Sequence, residues 1–498
     1  MWDAGTAEWA CASMVSFCSS SSCINLLGSA GACAVLTLTL KEHSGSEMIV
    51  RLACEVVNLL CKDSSNRTKF GASGMCEALA MVLSFHAGNA NVCIQVCRAA
   101  CMLIKESSNS NGEILAHSSL PQSLSSILAT HSYNVMACRW ACSAIDALVD
   151  GNVGVQEVFG SNGAVESLVG VLQKHKSQIV NVEEALGAIR RLVYRNASIA
   201  TQFSEAGVIA AIFAVLSQHS EEALIVEGCA WVIGHCTTIA DTDFYNAASF
   251  WERLEEAVKK HASRDGTVRW LCYALGKFAF FSKDSSRAST CDLIMTMLQR
   301  HFNSPSLVSK VGFAFGNLAA NAENQKHLGE IGAMEAVATC VIQYVDKHTV
   351  KEGLFRAVTG LAQRCPENQR KFNAVAGACS AMIKSLYEDI EYEEVTLWGC
   401  RAVAALARDN KLNTANLGKV SNFLDEILRE YKRNSDMVKT VFEVVAIIAH
   451  CNTANRSLLG VSGVCDEVAA ALPQFTSKED VDSTIIAVRV STVHLQIK

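Results

Sequence analysis

The chain is poor in several things that would mark it for common tasks. Only 4 of its 498 residues are proline, so helix interiors are seldom interrupted. Charged residues make up 18% of it, with a net charge of −6 at pH 7 and no polybasic tail. That balance argues against a nucleic-acid or anionic-membrane partner. No apolar run reaches the roughly 18 residues expected of a spanning helix, so no integral membrane segment is expected. The first residues, "MWDAGTAEWACASM", lack the basic start of a secretory leader. No phosphate-binding glycine loop, nucleophile elbow or HExxH phrase occurs. The expectation is therefore no enzyme, no cofactor, no metal and no small-molecule ligand.

Cysteine is the exception, at 22 residues, but its pattern is wrong for a disulfide framework. "CIQVCRAAC" places Cys93, Cys97 and Cys101 four apart, one stripe of a helix. Zinc knuckles use gaps of about two to four residues on loops, with a second pair elsewhere. The thiols read as core of a reduced, cytoplasmic protein, with nuclear or cytoskeletal association left open. Cys18 and Cys23, flanking a serine run, are the one pair not assigned to core. Half of the residues are hydrophobic, which suits an ordered, well-buried chain.

What the chain has is a repeat. "NRTKFGASGMCEALAMVL" from Asn66 returns as "VFGSNGAVESLVGVL" from Val158 and "TQFSEAGVIAAIFAVL" from Thr201. It returns again as "NQKHLGEIGAMEAVATCV" from Asn324 and "NQRKFNAVAGACSAMI" from Asn368. The anchors are Gly31, Gly74, Gly163, Gly207, Gly332, Gly377 and Gly463, with Ser119, Ser249, Ser289 and Lys419 in weaker copies. Successive anchors lie 40 to 45 residues apart. A period of that size means stacked units, none of which buries its apolar face alone. Such a fold offers a long surface instead of a deep catalytic pocket.

One unit, Val155 to Arg195, shows the plan. "VQEVFGSNG" is a short helix stopped by Gly163, which lets the chain bend sharply. "AVESLVGVLQKH" is a second helix with Val165, Leu168, Val169, Val171 and Leu172 at helical spacing. After a "KSQIV" linker, "NVEEALGAIRRLVYR" is a longer third helix with Ala185, Leu186, Ile189 and Leu192 inward. Asn196 is placed to cap the next unit. His86, His131, His175 and His219 recur at the end of second helices, where a histidine can satisfy the last carbonyls.

Short helix, helix, long helix, with a glycine step after the first, resembles the armadillo repeat over essentially the whole chain. HEAT repeats, with two helices and usually a proline, fit less well. The resemblance implies an all-α, right-handed superhelical solenoid of about 10–11 units. It would form one domain over 1–498: a partial repeat (1–27), repeats (28–463) and a last repeat (464–498). It also implies that third helices line a concave groove where an extended peptide or helix lies along asparagines. In the nuclear-import adaptors tryptophans stand one turn earlier.

Three consecutive third helices carry a similar phrase: "WVIGHC" (Trp231, His235), "YALGKF" (Tyr273, Lys277) and "FAFGNL" (Phe313, Asn317). Each has an aromatic and, four later on the same face, a polar residue. Arg356 and Arg401 take the aromatic position in the next two units, so a cationic stretch adjoins the aromatic one. These eight are the expected groove residues, with Trp231, Tyr273 and Phe313 partly exposed. The polar position elsewhere holds Asn58, Asp146, Arg191, Gly360 and Ala405, which is no asparagine ladder. Arg269 interrupts Glu183, Glu227 and Glu352, a poor match to a basic import signal. A cleft as basic as that of the catenins is not expected either.

The expected function is a protein-interaction scaffold; the alternative is a structural component of a large cytoskeletal or axonemal assembly. Ala7 to Cys18 reads as a third helix with Trp9, Ala10, Met14 and Val15 on an uncovered stacking face. Thr484, Ile485, Ile486, Val488 and Val490 are β-branched and form helix poorly unless packed. Self-association through uncapped ends is expected from both.

Overall fold

The structure, a computed structural model, describes residues 3–105, 110–149, 151–282, 286–450 and 452–471. Among these every regular element is a helix and there is no strand. The fold is an all-α solenoid. The chain divides into two compact units, Met1–Phe244 and Tyr245–Lys498, each built from the same stacked repeat. No single described helix is long and apolar enough to cross a membrane.

The unit around Gly163 runs as expected: Val153–Ser161, Ala164–Lys174 and Ile179–Val193. The third helix starts two residues before the expected Asn181, taking in part of the linker. All seven anchor glycines, from Gly31 to Gly463, have φ between 74° and 89°. That left-handed turn is the one an L side chain adopts poorly, and it swings the chain from first helix to second. Asn196 accepts from the Ile199 N–H and caps the following helix, as expected. Val165, Leu168, Leu172, Ala185, Ile189 and Leu192 are buried.

Two weak copies depart from the plan. Ser249 and Ser289 lie inside the helices Ala248–Lys260 and Ala288–Arg300 and not in a preceding turn. Ahead of Ala288 no first helix is present among the described residues. Trp251, 2% exposed, fills space there, with the Arg287 guanidinium 4.6 Å from its ring centre. Buried Glu255 accepts from Ser289 Oγ at 3.0 Å and Thr290 Oγ1 at 2.5 Å.

Within each unit, buried polar side chains tie repeat to repeat. Asn111 Nδ2 donates to the carbonyls of Arg67 and Leu103. Asn413 does so to Gln369 and Leu406, and Asn455 to Thr414 and Ile448. A β-carbon on Gly71 or Gly418 would overlap the amide of Asn111 or Asn455. An asparagine ladder thus exists, but in the core between first helices.

The histidines form a second ladder. Nε2 of His131 lies 2.7 Å from the Ala87 carbonyl, that of His175 2.9 Å from Ser132, and that of His219 2.6 Å from Lys176. The expectation that each ring serves its own helix end is corrected: it reaches one repeat back. Its own helix end is already served by the backbone, as where His175 N–H donates to Val171. In the second unit Tyr344 and Tyr431 take the histidine's place, donating to Phe302 and Ile390.

Every described cysteine is free. Cys93 and Cys97 are buried and Cys101 nearly so, as the helical stripe implied. Cys18 is buried and Cys23 half-buried, without a bond between them. The Ala4–Phe17 helix turns Ala7 and Cys11 inward and leaves Trp9 76% exposed. Thr484 to Val490 lie outside the described residues.

Candidate functional site: an aromatic and cationic cleft in the second unit

In the second unit the third helices Asp265–Phe281, Pro305–Leu318 and His348–Ala362 pack side by side because small residues let their backbones meet, and Glu393–Ala407 and Ser435–Ala449 follow them. A β-carbon on Gly276 would lie 2.7 Å from Ala314 Cα, and one on Gly360 2.5 Å from the Gly316 carbonyl oxygen. Gly312 and Gly353 are equally tight against the facing backbone. The glycine beside each polar residue therefore serves helix contact, and the close approach brings the neighbouring aromatics together.

Tyr273 and Phe313 meet with ring centres 4.7 Å apart and a 47° tilt. They wall a cleft of about 390 Å³ shared with Lys277, Phe280, Ser309, Lys310, Asn317, Glu352 and Arg356. Five of the eight expected groove residues, Tyr273, Lys277, Phe313, Asn317 and Arg356, are thus gathered in one place. Asn317 Nδ2 donates to the Gly276 carbonyl at 3.0 Å, which fixes the amide, and its oxygen is an acceptor.

Cations stand on the aromatic faces. Lys310 Nζ is 4.4 Å from the Tyr273 ring centre and 5.0 Å from that of Trp270. The Arg356 guanidinium is 5.5 Å from Phe313 and 4.2 Å from Trp398. Arg401, the eighth expected residue, stands 4.6 Å from the centre of the Trp398 ring, outside the lining of the cleft. A ring quadrupole attracts such charges but does not neutralise them. Arg356 also pairs with Glu352 at 2.9 Å and Glu394 at 3.5 Å.

The electrostatics follow from this crowding. Burial, and after it the nearby Arg356 charge, lowers the Lys277 ammonium below the ordinary lysine range. Burial lowers Lys310 too, with Glu352 opposing and Arg269 and Arg356 adding to the fall. The Tyr273 phenol is pushed up to about 12, chiefly by burial. No group of three or more His, Cys, Asp or Glu able to hold a metal is found among the described residues.

Trp231 belongs to the first unit and does not meet the expectation of partial exposure: it is 6% exposed. The His235 ring stacks on it at 3.8 Å and the Arg190 guanidinium lies 5.6 Å from its centre. The Ala223–Cys236 helix is buried along nearly its whole length, including Cys229, Ala230, Val232 and Ile233, so an aromatic there is enclosed.

The sequence reading missed Lys310, Trp270 and Trp398. Each lies three residues before a residue it did single out (Phe313, Tyr273, Arg401) and so one turn along the same face. Scanning that earlier turn for any large or cationic residue would have found them.

The fold has solved counterparts. A structure concerned with the interaction between cadherin and β-catenin superimposes with a TM-score of 0.62 at 12% identity, covering 94% of this chain and 91% of that one. An engineered protein superimposes with a TM-score of 0.51 at 15% identity, covering 93% of this chain and 98% of its own. No protein-family model and no curated protein matches the chain by sequence. At these identities the shared property is the helical-repeat fold.

Proposed function

We propose that the chain is an armadillo-type scaffold that holds a segment of a protein partner, an extended peptide or a helix, along the third helices of its second unit, without catalysis. One observation carries this: Tyr273 and Phe313, in register on consecutive third helices, meet in an open cleft beside Asn317, whose amide is held by the Gly276 carbonyl. Partly exposed aromatics with a fixed amide are what an interface anchor requires. The cytoplasm is the proposed compartment.

The test is quantitative affinity capture from cell extract with the full chain, Tyr273→Ala, and Leu412→Ala as a control. Leu412 is 59% exposed and far along the chain from the cleft. Proteins retained by the full chain and the control but lost from Tyr273→Ala support the reading. An identical set on all three overturns it.

The second reading, a structural part of a large assembly that also self-associates, is favoured by a separate observation. Trp9, Phe17 and Leu26 are 76%, 57% and 68% exposed close together in sequence, and apolar surface of this kind favours association. Sedimentation over a wide concentration range decides it: one sharp monomer boundary throughout removes this alternative.

A further inference from the structure

The charges of the cleft bear on what it holds. We propose that it selects an extended peptide with one acidic side chain, whose carboxylate lies between Lys277 on Asp265–Phe281 and Lys310 on Pro305–Leu318. This rests on the scaffold reading above and adds the ligand's chemistry to it.

Three cations from three helices line the cleft against one carboxylate. That carboxylate, Glu352, is committed to Arg356. Lys310 faces two aromatic rings. Lys277 has no ion pair and no hydrogen bond among the described residues, although it is half-buried. A partly desolvated ammonium without a counter-charge is costly, and a ligand carboxylate removes that cost. The apolar wall of Tyr273, Phe280 and Phe313 thins the water around it, which strengthens the attraction.

The first unit makes the contrast. There polar residues on neighbouring third helices are paired: Arg191 with Asp146 at 3.2 Å, Arg139 with Glu184 at 4.0 Å, and Asn58 donates to Gln95 at 3.5 Å. Among the described residues Lys277 makes no such pair.

Two features limit the ligand to a single acid. A space of about 390 Å³ takes one side chain with its neighbouring backbone. Glu352 lines the space and, with Glu394, which also pairs with Arg356, repels a second negative charge. The same two carboxylates, with the net charge of −6, disfavour a nucleic-acid strand, whose phosphates cannot be thinned to one.

The experiment displays random 12-residue peptides, selects on the full chain, and measures the winners by fluorescence anisotropy. The expected result is Asp or Glu enriched at one position beside an apolar residue. Replacing that acid by its amide should weaken binding about tenfold, as for loss of a charge-assisted contact. Lys277→Met and Lys310→Met should each do the same, with the circular dichroism spectrum unchanged. Lys277→Glu, selected afresh, should enrich Lys or Arg at that position. Peptides that need Tyr273 but tolerate the amide overturn this inference and leave the scaffold reading standing. Failure to select any peptide that depends on Tyr273 overturns both. A single-stranded oligonucleotide that displaces the peptides at equal concentration also overturns the acidic-peptide assignment.

Discussion

Gly316 rests against the backbone of Arg356: a β-carbon built on it would lie 2.7 Å from that carbonyl oxygen and 2.9 Å from its carbon. The obstacle is main chain in a neighbouring helix, which cannot swing aside as a side chain can. Gly316→Ala should therefore cost about 1–3 kcal/mol, the usual range for overpacking, although alanine is the better helix former. Urea unfolding followed by circular dichroism checks it. A midpoint equal to or above that of the parent would show that the helices have room to separate.

Trp231 and Tyr273 should part company when truncated. Trp231 is enclosed, so Trp231→Ala should destabilise the first unit by about 3–5 kcal/mol. Tyr273 is only half-buried at the cleft, so Tyr273→Ala should unfold near the parental urea concentration and lose partner binding by tenfold or more. Paired melts and binding isotherms separate the two. A Trp231→Ala protein as stable as the parent would return that residue to the groove.

The histidine ladder predicts a specific rescue. His175 is 5% exposed and its Nε2 serves the Ser132 carbonyl of the preceding repeat. His175→Ala leaves that carbonyl short of a donor, at about 1–3 kcal/mol. His175→Tyr should recover part of the loss, because Tyr344 and Tyr431 perform the same task in the second unit. Hydrogen exchange in the 131–134 loop reports the effect, and equal exchange in all three proteins would show that the bond carries no weight.

Stability should fall in mild alkali. Burial pushes the thiols of Cys54, Cys272 and Cys400 up to about 12, while an unfolded thiol ionises near ~8.5. Between those values the native chain keeps protons that the unfolded chain has lost, so stability declines as pH rises. Lys277 and Lys310 act oppositely, since their native ammonium groups release the proton earlier than unfolded ones do. Buried thiols outnumber these lysines, so the net slope is downward. Urea midpoints from pH 8 to 10 measure it, and Cys54→Ala with Cys272→Ala should flatten the decline. A midpoint constant over that range would refute the account.

Much of the fold was legible because its strongest signals are local. A left-handed turn demands glycine, so Gly74, Gly163 and Gly332 announced the step from first to second helix. Helical spacing then exposed the second and third helices. Ser249 and Ser289 misled because repeat arithmetic assigns an anchor even where the second helix has grown backward through it. The cleft was legible in part. Tyr273, Phe313 and Asn317 shared a phrase, but Lys310 meets the Tyr273 ring through the close approach of two helices, set by Gly276 against Ala314 on different repeats. Trp231 shared the same phrase and is enclosed, since burial depends on neighbours that spacing within one helix does not report.

The rings of His131, His175, His219 and His301 each donate to a carbonyl made earlier in the chain, and Asn111, Asn413 and Asn455 reach back in the same way. In these two ladders the acceptor leaves the ribosome before its donor, whereas Lys351 reaches forward to the Ser385 carbonyl and Cys33 and Cys76 to those of Asn66 and Asn111. Each new repeat emerges to find its docking surface already built, and an unfinished chain leaves open only the repeat still waiting for its successor. Along these ladders synthesis and docking run in the same direction, and a truncated product keeps its finished repeats joined.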